Sequence, residues 1–276
     1  MKILITGCAG FIGFHCAKKY LEKTNFKICG IDNLDNYYDT KIKLKRLIEL
    51  KKFKNFNFYK LDIINKSKLD IFFKNKKFDL VINLAAQAGV RYSLVNPKKY
   101  LDTNINGFFN ILECMRKNNI SKIIYASSSS VYGNAKTFPL DEMMPTSKQI
   151  SLYGSTKKYN EILAYYYFHM FKISSYGLRF FTAYGTWGRP DMSIFKFCKK
   201  ILLGKKIEVF NHGNHLRDFT YVDDVISCIM KLSKKIRLRE YKIINIAGGK
   251  TIKLMKLINL IEKNLKTKSK IKFLNI

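Results

Sequence analysis

The chain begins with an apolar run that leads directly into a glycine-rich turn. Residues 3–5 are Ile-Leu-Ile, glycines follow at positions 7, 10 and 13, and helix-like sequence runs over 11–21. A strand, a glycine-rich turn and a helix N-terminus in this order cradle the diphosphate of a dinucleotide, because glycine permits a tight turn and close approach of backbone to phosphate. The stretch predicts a dinucleotide cofactor held by Gly7, Gly10, Phe11, Ile12 and Gly13.

The composition limits the classes of protein to which the chain can belong. The chain has 276 residues, 47% of them hydrophobic, so it can bury a full core. It shows neither an apolar span of about twenty residues nor a signal peptide. The 6 cysteines are scattered without paired metal spacing, which fits a reduced compartment. We therefore expect a cytoplasmic protein without a membrane segment.

The formal net charge of +31 raises the question of nucleic-acid binding. The 51 basic residues are mostly lysines spread over the whole chain, with no basic stripe and no recognition motif. We expect no nucleic-acid partner, but rather a positive field that favours anionic small molecules. His212 and His215 have a spacing that metal ligands can show, but no further ligand stands close by, so we expect surface-loop residues and no metal.

An acidic residue ends the second predicted strand, at 27–31. Asp32 stands about 20 residues after the glycine turn, where a carboxylate binds the adenosine ribose hydroxyls and repels a 2′-phosphate. A turn or helix-capping role is the alternative, and the glycines upstream favour the ribose role and NAD over NADP. Asn33 is a second expected contact. The third predicted strand, at 56–61, ends at Asp62 and Ile63, where an adenine would lie.

Strands and helices alternate through the first half of the chain. A charged helix is predicted at 41–52, strands at 79–83 and 121–126, and a long helix at 97–117 between those two strands. The alternation predicts a doubly wound parallel sheet, whose ligands bind at the carboxyl ends of the strands. Small residues after the fourth strand leave room for a cofactor, although ordinary close packing would need them too. We expect cofactor contacts from Leu84, Ala85, Ala86, Gln87 and Asn104.

A tyrosine and a lysine stand one helical turn apart in the next predicted helix, at 153–171. The spacing i, i+4 places Tyr153 and Lys157 on one helix face. A free phenol has a pKa of about 10, and a neighbouring cation together with the positive nicotinamide ring lowers it so that the phenolate can act as a base near neutral pH. The serines at 127–130 follow the fifth strand and therefore lie at the floor of the same site. One of their hydroxyls would hold the substrate oxygen beside Tyr153.

Together these motifs resemble the extended short-chain dehydrogenase/reductase superfamily, and within it the nucleotide-sugar epimerases. The resemblance covers essentially the whole chain. AAQAGVRYS and FFTAYGTWGRPDM are similar to UDP-glucuronate 4-epimerases and less similar to UDP-glucose 4-epimerases. The segments that carry the resemblance are TGCAGFIG (6–13), GIDNLDNYYD (30–39), INLAAQAGVRYS (82–93), YASSSSVYG (125–133), SLYGSTKK (151–158), GLRFFTAYGTWGRPDM (177–192) and RDFTYVDD (217–224).

The resemblance implies NAD as the cofactor and a UDP-sugar as the substrate. Tyr153 is the implied base, Lys157 its partner and cofactor contact, and Ser128 the hydroxyl that binds the sugar O4. Arg189 is implied to face the carboxylate of an acidic sugar, with a local pair to Asp191 as the alternative. The implied reaction is reversible 4-epimerisation of UDP-glucuronate to UDP-galacturonate through a 4-keto intermediate. The implied substrate contacts are Arg91, Ser128, Ser129, Thr182, Arg189 and Arg217.

Two departures from the wider family bear on the alternatives. Ser129 and Ser130 stand where sugar dehydratases carry Asp-Glu, and UDP-glucuronate decarboxylases usually carry Glu in place of Ser130, so both activities are disfavoured. Relatives continue past the end of this chain, which implies that the part that grips the nucleotide-sugar lacks its C-terminal end. UDP-glucose 4-epimerase, UDP-glucuronate decarboxylase and an inactive, truncated NAD-binding protein remain open.

The resemblance also implies an architecture and an assembly. We expect a Rossmann-type doubly wound parallel sheet as an NAD-binding domain at 1–176, which includes the Tyr153–Lys157 helix. A smaller, incomplete substrate-binding α/β part follows at 177–276 and is interleaved with the first. The family pairs across helices corresponding to 97–118 and 153–171, so a homodimer through these helices is expected.

Overall fold

The computed structural model of the chain describes residues 1–74, 76–214 and 216–274. The strands are β1 (Lys2–Thr6), β2 (Lys27–Asp32), β3 (Phe56–Lys60), β4 (Leu80–Asn83), β5 (Lys122–Ser128), β6 (Ser174–Phe180), β7 (Thr182–Tyr184), β8 (Lys206–Phe210), β9 (Leu216–Tyr221), β10 (Tyr241–Ile246), β11 (Thr251–Lys253) and β12 (Lys270–Leu274). Seven of them form one sheet in the order β3-β2-β1-β4-β5-β6-β10. All neighbouring pairs in this sheet are parallel.

Helices cover both faces of this sheet, and others belong to the smaller part of the chain described below. They are α1 (Phe11–Lys23), α2 (Thr40–Lys51), α3 (Lys66–Lys74), α4 (Tyr92–Val95), α5 (Pro97–Tyr100), α6 (Phe108–Lys117), α7 (Leu152–Phe171), α8 (Ser193–Leu202), α9 (Val222–Lys235) and α10 (Leu254–Leu265). None of the helices in the described part of the chain is long and apolar enough to cross a membrane. The predicted doubly wound α/β fold is thus confirmed.

Successive side chains of β1 pack alternately into the helical layers on the two faces of the sheet. Ile3 and Ile5 of β1 pack into one apolar cluster with residues of α1 and α9, such as Phe14. Leu4, between them, packs into a second cluster with residues of α3 and α6, such as Ile111. Because successive side chains of a strand point to opposite faces, a strand that is apolar at every position must be covered on both faces.

The long helix predicted at 97–117 is present but not uniform. A π-helical segment, Leu101–Gly107, joins α5 to α6. Gly107 lies against the chain after β3, where a Cβ atom would stand only 2.7 Å from Cδ1 of Ile63. The π-helical segment therefore ends where the helix packs closely on Ile63, and Asn104 lies in the middle of this segment.

The boundary predicted after residue 176, with the second part interleaved with the first, remains a prediction. It falls inside β6, whose pairing with β5 and β10 continues to Phe180. Both β10 and α9 come from the predicted second part but complete the first, because their apolar faces pack on the large sheet and on α1. The smaller part is built from a three-stranded sheet (β11-β9-β7), the β12-β8 pair, α8 and α10, with its own core around Ile201, Ile207 and Ile258.

A buried ion pair fastens α7 to the sheet. The guanidinium of Arg179 on β6 donates from Nε to Oε1 of Glu161 at 2.9 Å and from Nη2 to Oε2 at 3.0 Å. The hydroxyl of Ser127 donates to the same carboxylate at 2.7 Å. Burial raises the pKa of Glu161, but the hydrogen bonds from Arg179 and Ser127 outweigh burial and hold that pKa below its ordinary value.

We expect Arg179→Met to lower the free energy of unfolding by about 3 kcal/mol, because it leaves a buried carboxylate without its main partner. Lys52→Met is the matched control: Lys52 pairs with Glu49 at 2.8 Å, but its side chain is 63% exposed. Its loss should cost less than about 1 kcal/mol. Chemical denaturation of both variants measures the difference, and equal effects would contradict the assignment.

Candidate active site

The glycine-rich turn between β1 and α1 is the innermost part of the site. Gly7 has a φ of +68°, and a Cβ atom on Gly13 would lie 2.0 Å from the carbonyl oxygen of Gly7. Only glycine at position 13 therefore lets α1 begin so close to the turn. Gly10 precedes the helix without a side-chain cap, which leaves N–H groups of the first turn for a ligand. Such a cradle fits the diphosphate of a dinucleotide.

Asp32 ends β2 beside this turn. Its Oδ2 accepts a hydrogen bond from the Ala9 N–H at 3.0 Å and its Oδ1 accepts one from the Leu34 N–H at 2.8 Å. The ammonium of Lys43 lies 3.8 Å from Oδ1. Burial lowers the pKa of Lys43, and the charge of Asp32 opposes that change. The carboxylate is thus held by backbone on one side and by a buried cation on the other.

The ends of β2 and β3 hold each other through side chains. The amide of Asn33 donates to Oδ2 of Asp62 at 2.8 Å, and Oδ1 of Asp62 accepts from the Ile64 N–H at 3.0 Å. Ile63 between them is buried. Asn33, Asp62 and Ile63 all line the site cavity, at the place where the sequence predicts an adenine.

The segment after β4, residues 84–87, lines the cavity with its small side chains. The Ala85 N–H donates to the hydroxyl of Thr6 at 3.0 Å, which ties this segment to β1. Asn104 does not line the cavity, contrary to the expectation that it contacts the cofactor. Its side chain accepts from the Gln87 N–H at 2.8 Å and donates to the Gln87 carbonyl oxygen at 3.0 Å and to the Thr156 hydroxyl at 3.0 Å. Asn104 therefore positions Gln87 and α7 from behind.

The serine, tyrosine and lysine predicted as the catalytic group come from β5 and α7. Ser151 caps α7 by accepting from the Gly154 N–H at 3.0 Å, and this fixes the start of the helix that carries Tyr153 and Lys157. The Lys157 ammonium donates to the Ala126 carbonyl oxygen at 2.8 Å. Ser128 ends β5, and its hydroxyl oxygen accepts from the Ser130 N–H at 3.1 Å.

The electrostatics of this group differ from the expectation that Lys157 lowers the pKa of Tyr153. Burial raises the pKa of Tyr153, and the opposing influences are the Ser128 hydroxyl and the charge of Arg189. Burial also lowers the pKa of Lys157 to about 7. Lys157 does not act on the pKa of Tyr153 because its ammonium is directed to the backbone of β5. Lys157 is therefore not among the groups that counter the rise in the pKa of Tyr153.

Arg189 is paired with a carboxylate of its own loop. Its Nε donates to Oδ1 of Asp191 at 2.9 Å and its Nη2 donates to Oδ2 at 2.5 Å. The phenol of Tyr37 donates to the same carboxylate at 3.2 Å. Burial acts to lower the pKa of Arg189, but Asp191 outweighs burial and raises that pKa. The alternative considered from the sequence, a local pair, is thus present, while Arg189 still lines the cavity.

The remaining predicted substrate contacts line the outer part of the cavity. The guanidinium of Arg91 lies 4.3 Å from the centre of the Phe210 ring, and Nη1 of Arg217 donates to the Leu216 carbonyl oxygen at 2.8 Å. Ser129, directly after β5, and Thr182, at the start of β7, line the same cavity. The outer cavity therefore presents two cations and two hydroxyls, which suits an anionic, hydroxylated ligand.

All of these residues surround one cavity of about 790 Å³, within the range of small-molecule and cofactor sites. Every predicted site residue except Asn104 lines it. Sequence reasoning missed Lys43, Tyr37 and Asp191 as lining residues. The signal for Lys43 was its position in α2, where the buried residues follow helical spacing and are Lys43, Arg46, Leu47 and Leu50.

His212, one of the two histidines considered as metal ligands, does not line this cavity. The ring of His212 stacks on Phe273 with 5.6 Å between ring centres, and His215 lies outside the described residues. In residues 1–74, 76–214 and 216–274, no three His, Cys, Asp or Glu side chains are grouped so that they could hold a metal ion.

Comparison with known proteins places this site in a family. Residues 3–247 match the NAD dependent epimerase/dehydratase family. The chain is 50% identical over 273 residues to an uncharacterized protein of Methanocaldococcus jannaschii, covering 99% of this chain and 83% of that protein. It is 42% identical over 273 residues to UDP-glucuronate 4-epimerase of Thermodesulfobacterium geofontis, with the same coverages of 99% and 83%.

A solved structure agrees with these relatives. UDP-glucuronic acid 4-epimerase of Bacillus cereus, in complex with UDP-glucuronic acid and NAD, superimposes with a TM-score of 0.93 at 32% identity and covers 100% of this chain and 86% of that one. The family match, the shared fold and the cavity with its glycine turn and Asp32 agree on the cofactor, which is NAD. The chain belongs to the NAD dependent epimerase/dehydratase family, as a nucleotide-sugar epimerase of the extended short-chain dehydrogenase/reductase superfamily.

Proposed function

We propose that the protein interconverts UDP-glucuronate and UDP-galacturonate by 4-epimerisation. The observation that carries the proposal is that Ser128, Tyr153 and Arg189 line the same cavity as the glycine turn. A hydroxyl, a phenol and a guanidinium thus meet where a cofactor and an acidic sugar would lie side by side. The names of the Thermodesulfobacterium geofontis and Bacillus cereus relatives support the same substrate.

The residues of the site divide the chemistry among them. Tyr153 removes the proton of the sugar 4-hydroxyl and later returns one, while Ser128 holds the same oxygen by a hydrogen bond. NAD, when bound, supplies reversible oxidation at C4 and the positive charge that the phenolate needs. Lys157, anchored on the Ala126 carbonyl oxygen, would offer a proton donor to the bound cofactor and fixes the distance between α7 and β5.

The acidic sugar presents a particular problem to such an enzyme. A ketone at C4 stands β to the C6 carboxylate, and such an acid loses carbon dioxide readily. An epimerase must therefore hold the carboxylate in an orientation that disfavours bond breaking. Arg189, which lines the same cavity as Ser129 and Thr182, is the group that we assign to this task.

One observation favours a second candidate, an epimerase of neutral UDP-hexoses. Asp191 engages Arg189 through two hydrogen bonds, so part of the arginine's charge is already neutralised. A carboxylate substrate must then use the remaining donors of the guanidinium or displace Asp191. A neutral sugar has no such requirement.

We further propose that two copies pair through α6 and α7. Large apolar side chains remain exposed along these helices: Phe109 is 41% exposed, Ile162 57% and Tyr166 50%. A second copy of the chain placed on this face would bury them in a helix-on-helix contact, as the sequence resemblance implies.

Purified protein incubated with UDP-glucuronate should form UDP-galacturonate without releasing carbon dioxide. Tyr153→Phe should lower the rate by about 10²–10⁴-fold with NAD still bound, because only the phenolic oxygen is lost. Chromatography of the nucleotide-sugars and trapping of carbon dioxide measure both results.

Tyr159→Phe is the matched control, since Tyr159 lies on the same helix but is 41% exposed and should not affect the rate. A UDP-pentose as the main product would contradict the proposed reaction. A Tyr153→Phe variant that keeps most of its activity would show that another residue is the base.

Arg189→Ala should lower kcat/KM for UDP-glucuronate about 10- to 100-fold more than for UDP-glucose, because only the acidic sugar loses charge-assisted hydrogen bonds. Arg217→Ala is the control: we assign it to the diphosphate that both substrates share, so it should weaken both alike. Steady-state kinetics with the two substrates measure the ratio. Equal losses in Arg189→Ala would favour the neutral UDP-hexose instead.

The pair of Asp32 and Lys43 should set the choice between NAD and NADP. In Asp32→Asn the charge that repels a 2′-phosphate is gone while the Lys43 ammonium stays, so the ratio of NADP affinity to NAD affinity should rise about ten-fold or more. Asp62→Asn, at the end of the next strand, should leave the ratio unchanged. Titration calorimetry with both cofactors decides, and an unchanged ratio in Asp32→Asn would exclude this role.

A further inference from the structure

Arg46 is a fully buried cation that does not line the cavity. It lies on α2, its side chain has 0% exposure, and it heads the largest fully buried side chains of the described residues. No ion pair found among residues 1–74, 76–214 and 216–274 includes it. Buried charges are costly unless partners compensate them, so the surroundings of this guanidinium need an explanation.

The guanidinium joins the two halves of the site. Its Nη1 donates to the Ala9 carbonyl oxygen in the glycine turn at 2.8 Å and to the Tyr38 hydroxyl at 2.9 Å. Its Nη2 donates to the carbonyl oxygens of Trp187 at 2.5 Å and of Gly188 at 3.4 Å. One planar group thus fixes the distance between the cofactor turn and the residues that directly precede Arg189.

Two other contacts dock the same loop on α1. Nε2 of His15 lies 2.9 Å from the carbonyl oxygen of Thr186, and the rings of Phe14 and Trp187 are 5.4 Å apart. Trp187 has a φ of +55°, a left-handed conformation that a bulky residue rarely adopts. The loop needs such contacts to keep this conformation, and Arg46 is the charged one among them.

The charge of Arg46 has a further consequence. Carbonyl and hydroxyl oxygens surround it, but they carry only partial negative charge, and its Nε has no partner in the described residues. The glycine turn whose Ala9 carbonyl it holds is the cradle for the cofactor diphosphate. An anion bound at the turn therefore supplies negative charge close to a cation that the protein itself leaves without a carboxylate.

We propose that Arg46 is a positioning residue that ties the loop carrying Arg189 to the cofactor turn and favours the cofactor diphosphate through its charge. The part that concerns the acidic sugar rests on the proposed function. The planar guanidinium of Arg46 holds the loop in place, and its positive charge favours binding of the cofactor diphosphate. The two contributions are separable, because lysine keeps the charge but cannot hold oxygens on both sides in the geometry of a guanidinium.

The test compares Arg46→Met and Arg46→Lys with Lys45→Met, which removes one positive charge from an exposed position on the same helix. Titration calorimetry measures the affinity for NAD, and then the affinities of the NAD-saturated protein for UDP-glucuronate and UDP-glucose. Arg46→Met should weaken NAD about ten-fold or more and lower the preference for UDP-glucuronate to that of Arg189→Ala. Arg46→Lys should keep NAD affinity within about three-fold but lose the same preference. Lys45→Met should change neither.

A purely structural role would lower thermal stability but leave NAD affinity and the ratio of the two sugar affinities unchanged in the folded fraction, and that result overturns the proposal. If Arg46→Met does not fold, Arg46→Lys decides: an unchanged sugar preference overturns the proposal and a lost preference supports it. If the wild-type protein itself does not prefer UDP-glucuronate, the proposed function fails separately. The Arg46 proposal then stands or falls on the cofactor: Arg46→Met must weaken NAD about ten-fold or more while Arg46→Lys keeps NAD affinity within about three-fold.

Discussion

The common direction of the strands in the large sheet is the constraint on which the site depends. Because these strands are all parallel, their carboxyl ends meet along one edge, and the residues that follow them are brought together without being close in sequence. The glycine turn follows β1, Asp32 ends β2, Gln87 lies after β4 and Ser128 ends β5. The strand order places β1 between β2 and β4. The sheet therefore extends from β1 toward β2 and β3 on one side and toward β4 and β5 on the other, and a crevice opens at this switch point.

Buried charge, rather than surface charge, gives this crevice its chemical character. The net charge of +31 is spread over the chain, but a few cations lie inside and face the cavity or the backbone around it. Lys43 is set against Asp32, Lys157 against a carbonyl oxygen and Arg189 against Asp191. These partners fix the positions of the three cations in the cavity lining, which suits two ligands that each carry a diphosphate in adjoining subsites.

The parts of the site that could be predicted from the sequence are those in which position along the chain determines position in space. Gly7 and Asp32 were identified because a parallel strand must deliver its last residues to the ligand edge. Tyr153 and Lys157 were identified because helical spacing alone puts them on one face. The same reasoning placed the serines at 127–130 in the site, and the family resemblance singled out Ser128 among them. These inferences need no knowledge of how distant segments pack.

The rest depended on packing between segments that are distant in sequence. Asn104 lies near the site, but its side chain turns to the backbone of Gln87, and no local pattern reveals that direction. Arg46 and Lys43 lie on the buried face of α2, a helix whose sequence is typical of an exposed, charged helix. Their burial depends on segments distant in sequence, such as the glycine turn and the loop at Trp187 that Arg46 contacts. The strand by which the second part is interleaved with the first is of the same kind, since β10 returns late in the chain to complete the large sheet.

The central claim is that this cavity oxidises the sugar at C4 and returns the same hydrogen to the opposite face. Incubation of the protein with UDP-glucuronate that carries deuterium at C4, in ordinary water, tests that claim most directly. The account predicts UDP-galacturonate that keeps the deuterium at C4, as measured by mass spectrometry and NMR. Protium at C4 of the product, or loss of the carboxyl carbon, would contradict it.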